Sequence, residues 1–200
     1  MGLRLRNKIM FNQEIKKEDT VYVFIDASNV WSAIKSMRKL IEYKNFKGYF
    51  KEYFNANKVE IFYYDAFPKE GTRDYDLGGK HRFFTYLKKG LGFTVRKKEL
   101  KRISAINENG EFIIEKGNMD VEMTIDAIHN MQDYDIAILF SGDADFLALV
   151  SYLRNNNKKV YIFSTENNVS RELKTGGDGY TDFKNICELW GENLKYRAEC

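Results

Sequence analysis

One proline in 200 residues, Pro68, leaves no room for an extended proline-rich linker. The two cysteines, Cys187 and Cys200, stand at no metal-ligand spacing. They exclude a thiolate zinc site and a disulfide framework, and make a reducing cytoplasm the expected location. The two histidines, His81 and His129, are isolated from one another and read as surface or packing residues. No apolar run approaches the ~20 residues that a membrane span requires. The N-terminal Met1-Gly-Leu-Arg-Leu-Arg-Asn-Lys8 is basic but lacks the apolar core of a signal peptide. Internal repeats and low-complexity segments are also missing.

What remains is ordinary globular material, 44% hydrophobic and 30% charged, long enough for one domain with a sizeable core. The net charge of +3 permits a polyanionic partner without demanding one. Residues 1–19 read as an N-terminal arm, 20–190 as the domain and 191–200 as a C-terminal tail. Apolar runs at Thr20–Ile25, Val59–Tyr64, Ile136–Phe140 and Lys158–Phe163 predict strands, and segments of helical period separate them. One such helix carries Val30, Ile34, Met37 and Ile41; another presents Val121, Ile125 and Ile128 as its apolar face. The aromatic stripe Phe46, Tyr49, Phe50, Tyr53 and Phe54 fits packing against a sheet better than a ligand platform. Helix is expected over His81–Lys89, a charge-blunted edge strand over Phe93–Leu100, and a small hairpin turning at Asn107–Gly110. Strands alternating with helices imply an α/β fold around a mainly parallel sheet.

The central stretch is Ile136-Ala-Ile-Leu-Phe-Ser-Gly-Asp-Ala-Asp-Phe146, a buried-strand pattern that runs into two aspartates. Strand ends of this kind are where open α/β sheets place their ligands. A helix N-cap needs one side chain, whereas Ser141, Asp143 and Asp145 offer three. The first strand ends the same way, at Asp26-Ala-Ser-Asn29, and in a parallel sheet both termini share one edge. Asp120 and Asp126, on the segment feeding the central strand, can overhang that edge. Carboxylates ~5 Å apart repel by roughly 3 kcal/mol per pair at an effective dielectric near 20. An oxygen-only cluster of this sort suits Mg²⁺ or Mn²⁺ and serves phosphate chemistry. Arg73, Lys80, Arg82, Lys88, Lys89 and Arg96 to Lys98 interleave with Phe83, Phe84 and Tyr86. Most of these charges read as a solvated face; Arg73, on a loop at the acidic edge, is the candidate RNA contact.

Three segments, Val23-Phe-Ile-Asp26-Ala-Ser-Asn29, Lys116-Gly-Asn-Met-Asp120-Val-Glu-Met-Thr-Ile-Asp126 and Phe140-Ser-Gly-Asp143-Ala-Asp145-Phe, resemble the NYN domain (the LabA-like group) of PIN-like ribonucleases. They occur in family order and span about residues 20 to 190. The resemblance implies a PIN-like α/β/α sandwich and Mg²⁺- or Mn²⁺-dependent cleavage of RNA by some members. It implies Asp26, Asp120, Asp143 and Asp145 as catalytic residues, and these four with Asp126 as metal ligands. Asn29, Ser141 and Lys116 would join Arg73 as substrate-binding residues. The Gly-to-Asp spacing in Lys116–Asp120 is one residue longer than the family's usual pattern. A catalytically silent RNA-binding scaffold that keeps the pocket is the alternative. A homodimer is a further expectation, resting on the aromatics of the first half.

Overall fold

The computed structural model describes residues 19–72, 76–107 and 110–194. The proposed arm up to residue 18, Arg73 and residues 195–200 lie outside the described residues. In chain order the elements are β1 (Thr20–Asp26), α1 (Ala27–Met37), β2 (Lys39–Ile41), α2 (Phe46–Tyr53), β3 (Lys58–Phe67), α3 (Gly78–Thr85), β4 (Thr94–Glu99), β5 (Lys101–Asn107) and β6 (Gly110–Lys116). There follow α4 (Asp120–His129), β7 (Ile136–Phe140), α5 (Leu147–Asn155), β8 (Lys159–Ser164), α6 (Arg171–Gly176), β9 (Gly179–Asp182) and β10 (Trp190–Asn193).

Six strands form one sheet in the order β4-β3-β1-β7-β8-β9, and every neighbouring pair is parallel. The chain winds outward from β1 through β3 to β4, then crosses back to lay β7, β8 and β9 on the other side. The β1–β7 junction is therefore a topological switch point, the place where a crevice opens beyond the strand ends. Burial on both faces makes β7 apolar throughout: Ile136 to Phe140 are fully buried.

Strand alternation divides the interior in two. Val21, Val23 and Ile25 of β1 face α2, where Phe46, Phe50 and Phe54 join them. Tyr22 and Phe24 face the opposite layer, with Met123 and Ala127 of α4 and Leu149, Val150 and Leu153 of α5. The aromatic stripe of α2 is thus core, its rings meeting Phe140 and Phe163 from the sheet.

Two helix expectations are corrected. The first helix stops before Ile41, because Arg38 adopts a left-handed conformation (φ 53°) and turns the chain into β2. Ile41 then pairs with Trp190 in an antiparallel β2–β10 ribbon, so ordered structure reaches Asn193. Val121, Ile125 and Ile128 do share a face of α4, but it is the solvent face; Met123, Asp126 and Ala127 turn inward. The segment after Thr85 also departs from α geometry, continuing as a π-helical turn over Tyr86–Gly90. The edge strand and the hairpin strands stand as expected: β4 runs parallel to β3, and β5 pairs antiparallel with β6; residues 108–109 of the expected turn lie outside the described residues. Among the described residues no helix is long and apolar enough to cross a membrane.

Candidate active site

Asp26 is the last residue of β1 and the N-cap of α1. One carboxylate oxygen accepts hydrogen bonds from the Ser28 backbone N–H (2.9 Å) and hydroxyl (2.8 Å). The other accepts the Ser141 hydroxyl at 3.3 Å, so the ends of β1 and β7 are tied together at the switch point. Burial pushes the Asp26 carboxyl above its usual range, against these hydrogen bonds, which pull it down.

The Ser141-Gly142-Asp143 turn has a steric explanation. A Cβ on Gly142 would collide with the carbonyl of Asn168 and the hydroxyl of Ser164. Only glycine lets the loop after β8 close on this turn, where the Ser170 N–H donates to the Gly142 carbonyl at 2.9 Å. Asp143 then caps a short 3₁₀ turn, accepting the Asp145 N–H at 3.0 Å, while its own N–H donates to the Ser141 hydroxyl at 3.3 Å. Capping and clustering coexist here, for Asp143 and Asp145 remain solvent-exposed.

Asp120 opens α4, where a carboxylate is favoured by unpaired backbone N–H groups, and the Asn118 side-chain amide donates to it. One carboxylate oxygen from each of Asp120, Asp143 and Asp145 can be chosen so that all three lie within 4.8 Å of one another. Their mutual charge is felt: the Asp120 carboxyl is pushed up to about 6, first by burial and then by the charges of Asp26, Asp143 and Asp145. Asp120 at the bent entry of its helix therefore converges with the strand-end pair.

Asp126 belongs elsewhere. Six residues along an α-helix turn its side chain about 120° away from Asp120. It lies buried under β4, accepting from Arg96 Nε (2.9 Å), from the second Arg96 nitrogen (3.1 Å) and from the Tyr64 hydroxyl (3.0 Å). Both carboxylate oxygens are engaged, so the structure sets it apart from the Asp120 group, as an anchor of α4 on the sheet.

The remaining candidates are distributed. Ser141 is fully buried and its hydroxyl positions Asp26. The Asn29 side-chain oxygen accepts from Ser164 Oγ at 3.1 Å, linking α1 to the end of β8. Lys116 is exposed at the base of the hairpin, opposite Lys101. Arg73 lies outside the described residues. Sequence reasoning passed over Asp65, near the end of β3, which is buried and takes Lys80 Nζ at 3.1 Å from each of its oxygens. The signal was there: Asp65 follows an apolar run, as Asp26 does.

A parallel sheet with three carboxylates gathered beyond its β1–β7 switch point defines an open α/β protein with an acidic group at its carboxyl edge. Residues 20–187 match the NYN domain, and the chain belongs to that family. It is 31% identical over 164 residues to the low amplitude and bright protein LabA of Synechococcus elongatus, covering 82% of this chain and 83% of the relative. The fold is shared with a crystal structure of a Vibrio parahaemolyticus protein of unknown function (TM-score 0.64, 24% identity). That match covers 89% of this chain and 99% of the other.

Proposed function

We propose that this protein is a metal-dependent ribonuclease that hydrolyses RNA phosphodiester bonds at the Asp26, Asp120, Asp143 and Asp145 carboxylates. The observation that carries the reading is the approach of three carboxylates to within 4.8 Å at the switch point of an NYN domain. Such a concentration of charge calls for a cation, and a donor set of oxygens alone fits Mg²⁺ or Mn²⁺ rather than zinc. Asp120, Asp143 and Asp145 would hold the ion, with Asp26 adding negative charge beside them. When bound, a divalent ion in such a site offsets phosphate charge and activates water for in-line attack.

The protein's own groups preorganise that arrangement. Ser28 and Ser141 fix both oxygens of Asp26, the Asp145 N–H fixes Asp143, and Asn118 holds Asp120. These bonds settle the acceptors before substrate arrives, so little reorganisation remains for the reaction. Calorimetry tests the metal half of the proposal: Mn²⁺ should bind the wild type and lose affinity at least tenfold in Asp143→Asn. Undiminished binding in that variant would remove Asp143 from the site. Metal binding with no RNA cleavage would instead favour the silent scaffold.

A further inference from the structure

The sequence leaves Lys80 and Lys97 among the charges of a solvated face; the structure puts them in a defined place. Lys80 is held by the buried Asp65, with Nζ 3.1 Å from both carboxylate oxygens, and its side chain is only 32% exposed. Its ammonium also lies 5.8 Å from the centre of the buried Phe84 ring. Lys97, exposed on β4, approaches the same ring at 5.2 Å and Phe67 at 5.8 Å. Two ammonium groups therefore share one aromatic support, no more than about 11 Å apart. Asp65 answers the charge of Lys80; among the described residues, no second carboxylate answers that of Lys97.

Topology tells where an anion would come from. The register places Asp26 beside Tyr64, and the next residue, Asp65, beside Lys97. Asp65 and Lys97 lie side by side on neighbouring strands ~4.8 Å apart, one residue further along than the Asp26–Tyr64 pair and on the opposite face of the sheet, yet close enough for the charge of Asp26 to raise the Asp65 carboxyl. A chain that crosses the carboxyl edge of the sheet from the α4 layer to the α2 layer would pass from the acidic group to Lys80 and Lys97, whose ring supports Phe84 and Phe67 belong to the α2 layer. Without a bound ion the carboxylates repel a polyanion, and positive charge to one side of them favours a nucleic-acid strand there.

We infer that Lys80 and Lys97, mounted on Phe84, form a phosphate-binding subsite that holds the backbone of single-stranded RNA beside the acidic group. The inference deepens the nuclease reading and rests on it for the identity of the polyanion. Asp65 is a positioning residue here, directing Lys80 toward the strand ends.

The test is fluorescence anisotropy with a labelled single-stranded RNA, in EDTA, over a series of KCl concentrations. For single strands, log K falls with log[salt] by ~0.7 per phosphate neutralised. Lys97→Ala should therefore lower the slope by ~0.7 and weaken binding severalfold at low salt, and Lys80→Ala should do the same. Lys88→Ala, on the π-helical turn, should leave the slope unchanged. Because Lys80→Ala strands a buried carboxylate, its melting curve is recorded alongside, and Lys97→Ala decides the case if that variant unfolds. RNA binding with an unaltered slope in Lys97→Ala overturns the subsite, and so does the absence of RNA binding in EDTA. The nuclease reading is judged separately, by cleavage in Mn²⁺, so the two can fail independently.

Discussion

Asp120 and Asp126 are both carboxylates on one helix, and their surroundings give them opposite tasks. Asp126 is paired on both oxygens beneath β4, and removing it leaves Tyr64 and Arg96 without their acceptor. Asp126→Ala should cost about 2 kcal/mol of stability in urea denaturation, short of a fully buried pair because Arg96 is half-exposed. Mn²⁺ affinity should change little in the same variant. Asp120 is the reverse case. Its carboxyl, pushed up to about 6 from 3.8, keeps a proton in the folded state that the unfolded chain has already released. The metal-free protein is thus favoured by this group below pH ~4, and loses that contribution as pH rises through about 6. Solvent screening of the half-exposed side chain moderates the effect. Melting in EDTA between pH 4 and 7.5 should show the decline, and Asp120→Asn should flatten it. Mn²⁺ competes with the same proton, so its affinity should rise over that interval.

At the scale of elements, Gly142 links sequence to site most directly. Gly142→Ala forces the loop after β8 away from the turn that carries Asp143, and should lower stability by about 2 kcal/mol as well as weaken metal binding. Thermal melting and Mn²⁺ calorimetry on the one variant check both effects. β1, β3, β7 and β8 were legible at this scale because burial on both faces writes unbroken apolar runs into the chain, whereas β9, half-buried at the sheet's edge, has no such run. The end of α1 was not, since the left-handed turn is made by Arg38, a residue that carries no such signal. Nor was the direction of α4: periodicity reports that Val121, Ile125 and Ile128 share a face, but not whether the face is covered. The acidic termini of β1 and β7 could be read because a parallel sheet brings all its carboxyl ends to one edge. The Asp65–Lys80 pair could not, for it joins residues fifteen apart across a loop that has no periodic pattern.

The whole molecule is a sheet with a built edge: carboxylates over β1 and β7, lysines over β3 and β4. Most of its first-half aromatics are core, the α2 stripe among them, while Trp31 and Tyr86 stand exposed. Further exposed apolar residues lie on α4 (Val121, Ile125) and on the hairpin (Ile103, Ile106, Ile113). An isolated two-stranded hairpin is marginal in water, and covering this one would stabilise it. A dimer formed there predicts a sedimentation coefficient that falls to the monomer value in Ile125→Glu; a wild-type monomer at every concentration contradicts it.

As proposed, the carboxylate edge cleaves RNA with the help of a divalent ion. A time course with labelled single-stranded RNA in Mn²⁺, in Mg²⁺ and in EDTA, run in parallel on Asp143→Asn, tests it most directly. Cleavage with metal, none in EDTA and a loss of about a hundredfold or more in the variant are expected. Cleavage that survives Asp143→Asn, or no metal-dependent cleavage by a folded wild type, would contradict the proposal.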